Sequence, residues 1–110
     1  MICDFGDVVV VPFPFVDFAP DKRRPSLILS HVTFNESHGH SICAMITTAA
    51  QSRRPSDIVI QDLKRAGLNR PCVVRWKIFT LPNELILKPA GKLASRDRGN
   101  VVSAVRTILA

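Results

Sequence analysis

Lys22-Arg23-Arg24-Pro25 stands directly before an apolar run, Leu27-Ile28-Leu29. The start of a strand is rigid while the loop before it is exposed, so an arginine there can be aimed at a ligand. Pro25 fixes its own φ and pushes Arg24 into an extended conformation. A guanidinium is planar, permanently charged and able to grip phosphate through paired hydrogen bonds. The same cluster also reads as a solvated flank that guards a strand against edge pairing. Thr47-Thr48 closes the run Ile42-Cys43-Ala44-Met45-Ile46. A hydroxyl there can donate to a phosphate oxygen and stabilise developing charge. Threonine is equally at home in a strand for packing alone.

Other candidates are weaker. His31, His38 and His40 could supply the acid and base of a phosphodiester cleavage. His38-Gly39-His40 has metal-ligand character, but no Cys, Asp or Glu cluster nearby completes a site, so no metal ligand set is assigned. The pair reads as part of a polar loop. A distributed basic set follows: Arg53, Arg54, Lys64, Arg65, Arg70, Arg75, Lys77 and Arg96. Trp76 shares an alternation face with Val74 and Ile78, which marks it as core or interface and not as a base-stacking platform. No Gly-rich phosphate loop, Ser-His-Asp grouping or pair of catalytic carboxylates is present.

Positioning these side chains requires short strands. Val8-Val9-Val10-Val11 is β-branched throughout and predicts a strand buried on both faces, ending or lying at an edge near Pro12 and Pro14. Asp17 to Arg24 reads as a loop, 25–30 as a second strand, Thr33 to His40 as a connecting loop and 41–47 as a third strand. Gln51 to Ser56 is a basic loop. Residues 57–60 form a short strand, and Asp62 to Ala66 one helical turn closed by Gly67. Residues 72–81 form the longest strand, alternating from Val74 onward. Leu85 to Leu93 is a final strand disturbed by Pro89. Val101, Val102, Val105, Ile108 and Leu109 recur at helical spacing, predicting a helix over 97–109 capped by Ser95 or Asp97. Strands with one terminal helix suit a small SH3-like barrel of five to seven strands and not a βαβ fold.

Length and composition agree. The chain has 110 residues, 46% of them hydrophobic, enough for a real core in one domain spanning 1–110. A formal charge of +6 favours polyanionic partners. The cysteines, Cys3, Cys43 and Cys72, are odd in number and scattered. They imply neither a disulfide framework nor a zinc pattern, and a reducing cytoplasm is the simplest setting. The first residues lack the basic start and apolar stretch of a signal peptide, and no run spans a bilayer.

The order of segments is more specific than any one of them. Gly6-Asp7 with its valine strand, a charged loop, then Arg24-Pro25-Ser26-Leu27-Ile28-Leu29 resembles the opening of MazF/PemK toxins. Ala44-Met45-Ile46-Thr47, Gly67-Leu68, 73–81, Gly91-Lys92-Leu93 and the closing helix are similar to later family segments, so the resemblance covers nearly the whole chain. It implies an SH3-like barrel, a homodimer, cleavage of single-stranded RNA without a cofactor or metal, and an acidic antitoxin partner. It assigns catalysis to Arg24 and Thr47, through attack of a ribose 2′-OH on the adjacent phosphate. Lys22, Arg23, Thr48, Arg53, Arg54 and Lys77 are the substrate-binding candidates around them. The loop 16–22 lacks the glycine and serine many relatives carry there, so sequence preference does not transfer. Two alternatives share the fold: a CcdB-type DNA gyrase inhibitor and a catalytically inert nucleic-acid binder. The ending Thr107-Ile108-Leu109-Ala110 has no aromatic residue of the kind expected for the gyrase role.

Overall fold

Four valines in a row have no polar face to show to water, so their strand must lie inside a sheet with apolar matter on both sides. Such a strand is β1, Asp7–Pro12, in which Val8, Val9 and Val11 are fully buried. The structure is a computed structural model and describes residues 1–12, 23–49 and 54–109. Its other strands are β2 (Arg23–Ile28), β3 (His40–Thr48), β4 (Ile58–Val59), β5 (Cys72–Pro82) and β6 (Lys88–Lys92). The helices are α1 (Val32–His38), α2 (Leu63–Ala66) and α3 (Ser95–Ile108). The strands form one curled antiparallel sheet, a half-barrel, in the order β4-β5-β3-β2-β1-β6. The fold is mainly β with a C-terminal helix.

Strand alternation sorts the core into two layers. Val8, Leu27, Ala44, Ile46, Cys72 and Val74 form the first with Ile60, Ala66, Leu93 and Val101 of α3. Val9, Val11, Ile28, Cys43, Phe79 and Leu81 form the second with Cys3 and Ile86. Gly67, at φ +73, ends α2, and a Cβ there would collide with the Ala90 carbonyl. A Cβ on Gly91 would strike the Arg65 carbonyl. These two glycines let α2 and β6 touch backbone to backbone.

Several expectations are corrected. Residues 33–40 are not a loop: Val32–His38 is helical, ending at Gly39 with φ +70. The helix is held by Asn35, whose amide donates to Cys3 O at 2.8 Å and Ser30 O at 3.1 Å. Asn83 Nδ2 donates to the Asn35 carbonyl at 2.7 Å, and Ser41 Oγ donates to Asn83 Oδ1 at 2.6 Å. A buried polar network, with no apolar periodicity, specifies this helix. Arg23 and Arg24 lie in β2 and not in the loop before it, because Pro12 and Val11 of β1 pair with them. β1 ends at Pro12 as expected, paired with β2 from Val8 to Pro12 but with β6 only as far as Val10. Alternation in β5 is interrupted: the register shifts between Ala44–Ile78 and Met45–Arg75. Trp76 and Lys77 bulge from the ladder and leave Ile78 exposed. The last strand begins only at Lys88, after a 3₁₀ turn over Asn83–Leu85.

α3 starts after Ala94, and no side chain caps it. Asp97 instead turns inward, buried, and accepts hydrogen bonds from Gln61 N and Asp62 N, each at 3.0 Å. A buried carboxylate is tolerable only when its oxygens are so satisfied. It fastens α3 to the segment leading into α2. Asp97→Ala orphans both amides and is expected to lower unfolding free energy by about 3 kcal/mol, measurable by urea denaturation; an unchanged midpoint would contradict this role.

Candidate functional site

Arg24 and Thr47 are far apart in sequence and lie on neighbouring strands, just past the end of their shared ladder. β2 and β3 pair from Ile28–Cys43 to Ser26–Met45. Continued past its last pair, the same antiparallel register sets Arg24 across from Thr47 and Arg23 across from Thr48. Each strand is secured there by its outer neighbour: Arg24 pairs with Val11 of β1, and Thr47 with Val73 of β5. Arg24 shares its face with Val11, and Thr47 shares its own with Cys43, so both emerge on the side of the second core layer. Arg23 and Arg24 are exposed, while Thr47 and Thr48 are half-buried.

The same face carries Arg75, paired with Met45. Its guanidinium donates to both oxygens of Asp57, Nη2 to Oδ2 at 2.8 Å and Nε to Oδ1 at 3.3 Å. Asp57 is almost inaccessible, with 2% side-chain exposure. It also accepts from Arg54 N at 2.9 Å and closes the turn by donating its own N–H to Arg54 O at 3.0 Å. Trp76 Nε1 donates to Ser56 O at 2.8 Å. The β5 bulge therefore grips the turn at 54–57 twice, holding the exposed Arg54 beside the sheet. Sequence reading placed Arg75 only in a diffuse basic set and left out Asp57. Eighteen residues separate them, and no spacing rule links them.

The remaining candidates fall as follows. Lys77 is exposed within the bulge. Lys22 and Arg53 lie outside the described residues. His38 ends α1, stacked on Phe34 at a ring-centroid distance of 4.1 Å, and His40 opens β3 at the end remote from Thr47. Neither imidazole is brought to the Arg24–Thr47 pair. The cysteines are buried, and burial pushes the Cys43 thiol up to about 12, so it carries no thiolate for nucleophilic attack. No group of three or more His, Cys, Asp or Glu suited to a metal ion occurs among the described residues. Beside Thr48, Arg70, which sequence reading placed only in the diffuse basic set, lines a cleft of about 410 Å³.

Hydrogen bonding to Arg75 is the main force holding the Asp57 carboxyl below its ordinary value of 3.8. A depressed carboxylate contributes stability above its unfolded pKa, and that contribution is lost as pH falls through the lower folded value. Asp57→Asn is thus expected to be less stable than wild type at pH 7, with the gap closing as pH falls below 3.8. Urea unfolding across this range measures it; a gap that persists unchanged at the lowest pH would refute the ion pair's part.

Comparison with known proteins bears on family and fold. A family model described as PemK-like, MazF-like toxin of type II toxin-antitoxin system matches residues 4–109. No curated protein sequence matches the chain. Among solved structures, a MazE-MazF complex from Deinococcus radiodurans is similar at 16% identity and TM-score 0.75, over 99% of this chain and 96% of that one. An endoribonuclease bound to its cognate antitoxin, from Mycobacterial species, is 17% identical with TM-score 0.75, over 98% and 93%. The Mycobacterium tuberculosis toxin MazF-mt6 is 22% identical with TM-score 0.73, over 92% and 93%. These structures share the fold, and the family model shows the kinship: the chain belongs to the PemK-like, MazF-like toxins of type II toxin-antitoxin systems.

Proposed function

We propose that this toxin is an endoribonuclease that cleaves single-stranded mRNA at Arg24 and Thr47. The observation that carries the reading is the β2–β3 register, which, extended past its last pair, would align a cation and a hydroxyl on one sheet face. The cleaved phosphate sits between them. The ribose 2′-OH attacks the adjacent phosphorus, forming the O2′–P bond and passing its proton to a solvent water. The P–O5′ bond breaks, and the leaving 5′ oxygen takes a proton from solvent. The products are a 2′,3′-cyclic phosphate and a 5′-OH end. Arg24 acts on this phosphate through its planar, cationic guanidinium. It stabilises the extra negative charge on the five-coordinate phosphorus, while Thr47 donates to a non-bridging oxygen. No metal is required in this scheme.

Arg23, Thr48, Arg54 and Lys77, with Lys22 and Arg53, are the proposed contacts to the rest of the RNA. A homodimer in the cytoplasm, silenced by an acidic antitoxin segment, completes the proposal. Two of the similar structures are described as toxin–antitoxin complexes, which supports the partner. No helix among the described residues is long and apolar enough to cross a membrane.

In EDTA, the protein is expected to cut a mixed-sequence RNA at discrete sites, leaving 5′-OH ends. Removing a charge-stabilising donor typically costs about 10²–10³ in rate, so Arg24→Ala should lose at least that much in single-turnover cleavage. A folded protein that leaves RNA intact would refute the ribonuclease. A gyrase supercoiling assay would then separate an inhibitor of that enzyme from an inert binder.

A further inference from the structure

Beyond Thr47 the end of β3 borders the cleft of about 410 Å³, lined among the described residues by Thr48, Ala49, Arg70 and Pro71. Two pairings fix its walls. Thr48 is opposite Cys72 in the β3–β5 ladder, and Ala49 N donates to Pro71 O at 2.9 Å. The segment leading to Arg70 is anchored as well. Leu68 packs on the first core layer, and Gly67 is pressed against Ala90. Arg70 is exposed, yet its charge reaches the buried Cys72 thiol and partly offsets the rise that burial imposes there. This arginine is held on an anchored segment, not on a freely moving loop.

The polar side chains of the lining are a hydroxyl and a guanidinium, both able to donate, and the guanidinium has no acceptor. Ala49 and Pro71 add apolar wall, and no carboxylate lines the cleft among the described residues. A hydroxyl and a guanidinium lining one cleft suit the oxygens of a phosphate. Thr47 and Thr48 are adjacent and project to opposite faces of β3. An RNA strand with its cleaved phosphate at Thr47 therefore runs round the strand end toward Thr48.

We infer that Arg70, together with Thr48, holds the phosphate adjacent to the one cleaved, so that Arg70 is a substrate-contacting residue of this enzyme. The inference rests on the ribonuclease reading above. A contact made equally in ground and transition states shows in KM and not in kcat, and Arg70 is assigned such a contact.

The test uses the full-length protein and a synthetic RNA bearing one cleavage site. Each phosphate flanking that site is replaced in turn by a neutral methylphosphonate. Losing one charge-assisted contact is worth about tenfold, so Arg70→Ala should raise KM by that factor with kcat unchanged, and Arg70→Lys should fall between. One methylphosphonate position should cost wild type a similar factor and cost Arg70→Ala nothing further. Wild-type cleavage with kinetics unaltered in Arg70→Ala overturns the inference alone. So does a loss in Arg70→Ala that adds in full to every methylphosphonate. Wild-type protein that cleaves no RNA overturns the ribonuclease and this contact with it. Should Arg70→Ala misfold, the comparison of wild type with Arg70→Lys across the methylphosphonate series decides.

Discussion

The antiparallel register between β2 and β3 governs the rest of the molecule's proposed chemistry. A slip of one residue would carry every side chain of a strand to the opposite face. Here that would exchange Leu27 for Ser26 in the first core layer and turn Arg24 away from the second. Full burial of Leu27, Ile28, Cys43 and Ala44 makes such a slip prohibitive. The core thus sets the relation between Arg24 and Thr47, and neither needs to contribute to stability. Both sit past the last β2–β3 pair, where each strand is held from outside by β1 or β5. The proposed site lies where a well-packed sheet stops pairing with itself.

Around that point the molecule spends charged groups on rigidity. The Arg75–Asp57 ion pair and the Trp76–Ser56 hydrogen bond tie the turn at 54–57 to the β5 bulge. Asp97 ties α3 to the approach to α2, and the Gly67–Gly91 contact ties α2 to β6. Cations offered to a polyanion repel one another, and their loops gain from being tied down before the ligand arrives.

Much of this architecture was legible from residue types. β1, the body of β3 and the start of β5 are buried on both faces, and such strands write themselves as unbroken apolar runs. Glycine after Ala66 announced the end of α2. Other features were not legible, for physical reasons. α1 is seven residues held by Asn35 and Asn83, so it has too few turns to show a period. The β5 bulge answers the curvature of the sheet, a global property. Asp97 has the type and position of a helix cap, and only its tertiary surroundings reveal that it serves another segment. Arg24 and Thr47 were nominated by residue chemistry and by resemblance, and only the fold shows that they stand on neighbouring strands. Arg70 and Asp57 gained meaning only from what lies beside them in space.

The central claim is that Arg24 and Thr47 act on one phosphate as a unit. A double-mutant cycle in single-turnover RNA cleavage, using Arg24→Lys, Thr47→Ala and the double variant, tests it most directly. Side chains sharing one substrate group are expected to be coupled, so the double variant's loss should fall short of the product of the single losses by about tenfold, roughly 1.4 kcal/mol. Losses that multiply to within about twofold, the behaviour of independent sites, would contradict the account.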